Sequence, residues 1–275
     1  MTTLTEWNGI GSDDHKLAMF GTRREKSVFN KQKNESIEWA QWSWNPVTGC
    51  KHDCPYCYAR DIAQRFYPQG FEPSIHPERL SAPSNTAMPE EAKRNTAFKN
   101  VFTCSMADLF GKWVPGEWIE AVLNAVHENK QWNFLFLTKF PRRLAEFSIP
   151  KNAWVGTTVD IQARVKYAEQ AFEALECGVK WLSVEPMLEP LKFKRLDLFQ
   201  WVVIGGASES TKTPAWAPPM QWMVDLHNDA RDAGCRIYYK ANAFSANPLF
   251  RQREFPWETR SAHVLPKELN YAPKS

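Results

Sequence analysis

The sequence predicts an α/β fold: a partial or complete (β/α) barrel of about six parallel strands plus a seventh strand-like run. Three observations carry this. Short apolar, β-rich runs recur along the chain, and amphipathic helical patterns lie between several of them. The runs are nearly continuous in apolar residues, as strands covered on both faces by helices must be. Nearly every run ends in a polar or charged side chain, as expected where strand ends surround the mouth of a parallel barrel. The 275 residues suit one large domain, and 43% hydrophobic residues are enough for a sizeable core, which excludes wholesale disorder.

The elements follow in order. Residues 1–35 read as a basic arm carrying Thr22-Arg-Arg-Glu-Lys26, Lys31 and Lys33, either a solvated leader or an arm that touches a polyanion. The arm has no apolar run of signal-peptide type, and no segment approaches the ~18 consecutive apolar residues of a membrane span. The barrel is expected over residues 36–245 and a tail over 246–275, packed on or near it. Trp42–Val47 is the first strand. Phe66–Asn95 carries five prolines (68, 73, 77, 83 and 89) and reads as a long ordered loop or short insertion. Val101–Cys104 is the second strand. A helix around Glu117–Val126 groups Trp118, Val122, Ala125 and Val126 near one face. Phe134–Thr138 and Trp154–Thr158 are strands three and four. Arg164–Cys177 is a helix that Gly178 would end. Trp181–Val184 and Trp201–Ile204 are strands five and six. Ala207–Pro219 is irregular, a lid or an inert wrap. Gln221–Ala233 is a helix ended by Gly234, and Ile237–Tyr239 is the seventh run.

Three cysteines, Cys50, Cys54 and Cys57, fall within eight residues just after the first strand. Six cysteines without a secretion signal point to a reducing cytoplasm, where thiols serve metals or catalysis. Three thiolates this close cannot all pair with one another. They can hold a [4Fe–4S] cluster with one iron left without a protein ligand, whereas electron-carrying clusters mostly use four cysteines. A structural zinc with a remote fourth ligand is a second reading, and His52 inside the loop gives it substance. Zinc sites usually present a second cysteine pair, however, and Cys104, Cys177 and Cys235 are singly spaced. Three unligated buried thiols are a third reading, in a loop flanked by Lys51, His52, Asp53 and Arg60.

The C-x3-C-x2-C spacing, with Tyr56 before the third cysteine, resembles the signature of the radical SAM superfamily. The resemblance implies a (β/α)6 core with the cluster loop after strand one and a [4Fe–4S] cluster on Cys50, Cys54 and Cys57. It also implies S-adenosylmethionine at the open iron, cleaved reductively to a 5′-deoxyadenosyl radical that abstracts hydrogen. An external electron donor such as flavodoxin or ferredoxin would supply the electron. Tyr56 would belong to the cofactor site. Ser105 and Asp108, after strand two, would meet the methionyl amine. Thr157, Asp160, Ser183 and Glu185, after strands four and five, would meet the ribose and the methionyl carboxylate. Gly205 and Gly206 would let backbone approach the cofactor closely. Lys139 and Lys240 are candidates for binding substrate anions, and Lys240 and Glu209 are candidate catalytic residues. Helix capping or pairing with neighbours is the bland alternative for each.

Longer blocks sharpen the resemblance. Trp42-Ser-Trp-Asn-Pro-Val-Thr-Gly-Cys50, Cys57-Tyr-Ala-Arg60, Ser105-Met-Ala-Asp-Leu-Phe110, Leu137-Thr-Lys139, Leu182-Ser-Val-Glu-Pro186 and Trp201-Val-Val-Ile-Gly-Gly206 are similar to those of a phage- and prophage-associated radical-SAM-like family known only by phage gene-product numbers. The similarity covers residues 37–245. It implies an isomerase, mutase or base-modifying enzyme working in the host cytoplasm, without a membrane. Its substrate would be a modified thymine-type nucleotide in phage DNA, changed by hypermodification, rearrangement or isomerisation. A net charge of +3, a pI near 8.5 and thirteen tryptophans are compatible with DNA, although core packing is the commoner use of tryptophan. Two alternatives stand beside this reading. One is a DNA photoproduct lyase-like repair enzyme, for which Cys104 would have to donate hydrogen. The other is a non-catalytic zinc- or cluster-bearing nucleic-acid-binding protein.

Overall fold

Seven parallel strands follow one another in chain order through the structure, a computed structural model in which residues 26–32, 37–244, 252–259 and 265 are described. Most of the expected basic arm and most of the tail therefore lie outside the described residues. The strands are β1 (Asn30–Lys31), β2 (Trp42–Trp44), β3 (Val47–Thr48), β4 (Ser74–Ile75), β5 (Asn100–Thr103), β6 (Asn133–Thr138), β7 (Ala153–Thr158), β8 (Val179–Val184), β9 (Trp201–Ile204) and β10 (Arg236–Tyr239). The main sheet runs β1-β2-β5-β6-β7-β8-β9-β10, with β1 antiparallel at the edge and β3–β4 a separate antiparallel pair. Each parallel strand pairs with the next in sequence, the winding expected of a barrel-like sheet.

The first expected strand is shorter than its apolar run. Its ladder stops at Trp44, ahead of Pro46, which has no N–H to offer, and Val47–Thr48 turns away to pair with β4. The α-helices are α1 (Tyr58–Phe66), α2 (Ala82–Asn85), α3 (Gly116–Glu128), α4 (Gln162–Glu173), α5 (Met220–Asp232) and α6 (Ala241–Phe244). On α3 the buried residues are Ile119, Val122, Leu123, Ala125 and Val126, while Trp118 only packs against the edge of that core. Two crossovers lack an α-helix. Pro141–Glu146 and Leu196–Leu198 are single 3₁₀ segments, opened by Pro141 in the first case and preceded by Pro186 and Pro190 in the second. Helix α4 ends at Glu173, short of Gly178. A side chain at Gly178 would place its Cβ 2.2 Å from the Lys151 carbonyl, so the glycine serves close backbone packing instead. Gly234, at φ +92°, does end α5: its N–H reaches the Arg231 carbonyl at 3.0 Å, and the next N–H reaches Ala230 at 2.9 Å.

Alternation within the strands separates two cores. Val101, Phe134, Phe136, Val155, Leu182, Val184, Val202, Ile204 and Ile237 face the helices. Phe102, Leu135, Trp154, Trp181, Trp201, Val203 and Tyr238 face the other way, together with Trp39. The Trp39 ring centre lies 4.7 Å from Phe102 on β5, 5.2 Å from Trp181 on β8 and 6.2 Å from Trp201 on β9. In a flat sheet β5 and β9 would be about 19 Å apart, so the sheet must curl around Trp39. Gly156 makes room for this packing, since a Cβ there would stand 2.3 Å from the Trp181 ring. Trp39, Trp154, Trp181 and Trp201 are thus spent on the inner face, while Trp44 and Trp132 are buried on the helix side.

No ladder joins β10 to the other end of the sheet among the described residues. Glu38 spans part of that gap, accepting the Ala241 N–H at 2.9 Å and pairing with Arg253 at 2.5 Å. Residues 252–254 run antiparallel beside β10, where the buried Glu254 carboxylate takes both guanidinium arms of Arg231 at 2.6 and 2.8 Å and the Ile237 N–H at 3.0 Å. No helix among the described residues is long and apolar enough to cross a membrane.

Candidate active site

The cysteine loop occupies the C-terminal end of the parallel strands, and glycine and asparagine place it there. Gly49 has φ +89°, and a Cβ on it would meet the Glu72 carbonyl at 2.2 Å. Its N–H bonds the Met106 carbonyl at 2.9 Å, which pins the loop to the segment after β5. Asn45 accepts the Met106 N–H at 3.0 Å and the Ser105 hydroxyl at 3.2 Å. Cys57 then sits at the N-terminal boundary of α1, and its N–H donates to the Cys54 carbonyl at 3.2 Å.

Cys50, Cys54 and Cys57 line one cavity of about 320 Å³, shared with Lys51, His52, Asp53, Arg60, Gln64, Phe71 and Glu72. Burial pushes the Cys50 thiol up to about 12 and raises Cys57 as well, so both are protonated at neutral pH until a metal displaces the proton. Among the described residues no three His, Cys, Asp or Glu side chains converge as ligands of a single ion. The three thiols share the wall of one cavity. His52, on the same cavity wall, has its Nε2 committed to Asp108 at 2.7 Å and its ring stacked on Phe140 at 4.7 Å. Three soft donors around an open cavity fit an iron–sulfur cluster.

Beside the loop lies a buried polar network. The Tyr56 hydroxyl donates to the Asp160 carboxylate, and the Lys139 ammonium bonds both groups, at 2.8 Å to Asp160. Arg164, one turn into α4, reaches the other Asp160 oxygen at 2.6 Å. Burial would push the Asp160 carboxyl up, but Lys139, Tyr56 and Arg164 outweigh it and hold the group below the usual carboxylate range. The Tyr56 hydroxyl is pushed upward by burial and by the Asp160 charge.

The remaining candidates divide between the mouth and its supports. Asp108 is a support: it accepts the Lys139 N–H at 2.8 Å and the Phe110 N–H at 3.1 Å, besides His52. The Ser105 carbonyl accepts the Tyr58 hydroxyl at 2.9 Å. Thr157 follows Val155 on the helix-facing side of β7, and its hydroxyl donates to the Thr138 carbonyl at 2.9 Å. Ser183 and Glu185 continue the inner face above Trp181, and Glu185 pairs with Lys240. Gly205 faces Glu185, which a Cβ would approach to 3.0 Å. Gly206 is forced by protein backbone, with the Trp216 carbonyl 2.3 Å from where its Cβ would be. Glu209 is not gathered to the thiols. It is exposed on a separate open groove of about 490 Å³ with Ser208, Trp216 and Asn242. Cys104, at φ +58°, is buried within the helix-side core.

Sequence reasoning did not assign Arg60, Arg164 or Asn242. Arg164 was legible as the i+4 partner of Asp160. Asn242 holds Gly206 at both backbone groups, at 2.9 and 3.2 Å, and nothing local announces it. The 207–219 loop docks on the cysteine loop. The Ser210 hydroxyl donates to the Pro55 carbonyl at 3.3 Å, the Thr211 N–H to Asp61 at 2.7 Å, and Lys212 lies 3.6 Å from Asp53.

Comparison with known proteins gives a family and little else. No curated protein matches the chain. A solved structure described as "Spore photoproduct lyase complexed with dinucleoside spore photoproduct" aligns over 78% of this chain and 48% of that one, at 9% identity and a TM-score of 0.28. The chain thus spans about half the length of that protein, and a TM-score so low carries no argument. A family model matches residues 34–254, most of the chain including every site residue above, and the protein therefore belongs to the family described as "Protein of unknown function (DUF5131)".

Proposed function

We propose that this protein is a radical SAM enzyme. Cys50, Cys54 and Cys57 would hold a [4Fe–4S] cluster, and the Tyr56–Asp160–Lys139 network and Glu185 would bind S-adenosylmethionine. The cavity lined by three thiols, at the strand ends beside buried charged groups, carries the reading. When bound, the pair supplies one-electron reduction of the sulfonium and, through it, hydrogen abstraction from an unactivated C–H bond. The chain's own work is binding and exclusion. Asp160 stays ionised beside Lys139 and Arg164, and a cofactor hydroxyl would reach it only by replacing one of the partners its oxygens now hold. Glu185, after the neighbouring strand β8, and Lys240, after β10, offer a carboxylate and a cation, the cation suited to a substrate anion. The packed indoles below exclude water from the floor of the site. Thr157 and Asp108 support this site through the bonds that orient its neighbours.

The proposed substrate is a thymine-type base in phage DNA, with a flavodoxin- or ferredoxin-like donor and a cytoplasmic setting. The photoproduct-lyase reading receives less support, because Cys104 is buried in the helix-side core. Anaerobic reconstitution followed by chemical reduction with dithionite in the presence of S-adenosylmethionine and thymidine-containing DNA tests the proposal. About four irons per chain, released 5′-deoxyadenosine and a mass change in the nucleosides are expected. A colourless zinc protein after the same treatment would reject it.

A further inference from the structure

We infer that Arg60 is the positioning residue of the cysteine loop and eases the reduction of whatever cluster the loop holds; the second half rests on the function proposed above. Arg60 lies one turn into α1 after Cys57, is only 7% exposed, and lines the cavity with the three thiols. Its guanidinium is used as a fork. One arm bonds the Asp53 carboxylate and the other donates to the Cys54 carbonyl at 2.9 Å. Asp53 has φ +51°, a left-handed conformation that non-glycine residues adopt at a cost and that neighbours must hold. The fork therefore fixes both the turn between the first two cysteines and the carbonyl of the second.

The charge matters separately from the fork. Arg60 is the deeply buried cation of the cavity wall, whereas Lys51 is exposed and paired with Glu72 at 3.1 Å. The Asp53 carboxylate that faces Arg60 is 78% exposed, so water screens much of its compensation. The Arg60 Nε–H is buried and has no hydrogen-bond partner in the protein. A buried donor of this kind is rare and costly. Thiolate-bound clusters carry net negative charge and sulfur acceptors, and both would answer the orphan donor and the charge. Each electron added makes the cluster more negative, so a nearby buried cation favours the reduced state.

Two variants separate the effects, because Arg60→Lys keeps the charge without the fork and Arg60→Gln loses both. In the metal-free chain, amide hydrogen exchange across residues 53–57 should rise about tenfold or more in both variants, with the β6–β8 amides unchanged as the control for folding. After anaerobic reconstitution, Arg60→Gln should shift the reduction equilibrium about tenfold toward the oxidised cluster, about 59 mV for one electron, and Arg60→Lys should restore most of it. Unchanged exchange in both variants would overturn the positioning role, and equal potentials in wild type and Arg60→Gln would overturn the charge role. If wild type takes up no iron, the proposed function and the charge role fail together, and the exchange data alone decide positioning.

Discussion

Tyr56 and Asp160 are 104 residues apart in sequence, yet the tyrosine hydroxyl donates directly to the carboxylate at the mouth of the sheet. The bond ties the cysteine loop to the end of β7, and Lys139 and Arg164 close around the same carboxylate. One acidic side chain thus organises three chain segments.

Asp160→Asn should destabilise the protein by about 3–5 kcal/mol, because it leaves the buried Lys139 and the half-buried Arg164 against a neutral amide. Tyr56→Phe removes two hydrogen bonds, the one its hydroxyl donates to Asp160 and the one it accepts from Lys139, and should cost about 1–3 kcal/mol. Urea unfolding of the metal-free proteins checks both.

The same carboxylate sets an acid dependence. Its native pKa is depressed, so the unfolded chain takes up the proton first. The stability it contributes is present above about pH 4, the ordinary aspartate range, and is lost as pH falls through the native value. The stability gap between wild type and Asp160→Asn should therefore be full at pH 7 and shrink below about pH 4. A gap that widens on acidification would contradict this electrostatic account.

Gly156→Ala should cost about 1–3 kcal/mol or more, since the new methyl would overlap the Trp181 ring at 2.3 Å. A second change, Trp181→Phe, which opens space beside it, should recover part of the loss. Thermal melting of the single and double variants measures the coupling.

Replacing Cys50, Cys54 or Cys57 by alanine should remove iron binding together with S-adenosylmethionine cleavage, while Cys104→Ala should lower stability and retain both. Iron and sulfide assays and 5′-deoxyadenosine release distinguish the two classes. Retention of a full cluster in any of the three loop variants would defeat the assignment.

Much of this was legible in the chain because parallel strands announce themselves. The inner face can be counted by twos, from Trp181 through Ser183 to Glu185 and from Tyr238 to Lys240. Counting also separates Thr157 from Thr158, a distinction that reading only the strand-end composition does not make. The boundaries were less legible. Pro46 cut the first strand short, and the 3₁₀ segments Pro141–Glu146 and Leu196–Leu198, in crossovers for which no helix was read, went unassigned. Gly178 looked like a helix stop by position, but its role comes from the Lys151 carbonyl, 27 residues earlier in sequence. Long-range supports such as Asn242 on Gly206, or Glu38 on Arg253, depend on which segments the fold brings together. No window of sequence contains that information.

Among the described residues, the indoles around Trp39 are buried against one another on the inner face of the sheet. If they fill one end of the sheet, visitors to the cysteine loop would come and go over the same rim. A small cofactor would then have to settle before a bulky polymer covers the opening, and the spent fragments would wait until the polymer departs. Order of arrival would be imposed by plugging one end of the sheet.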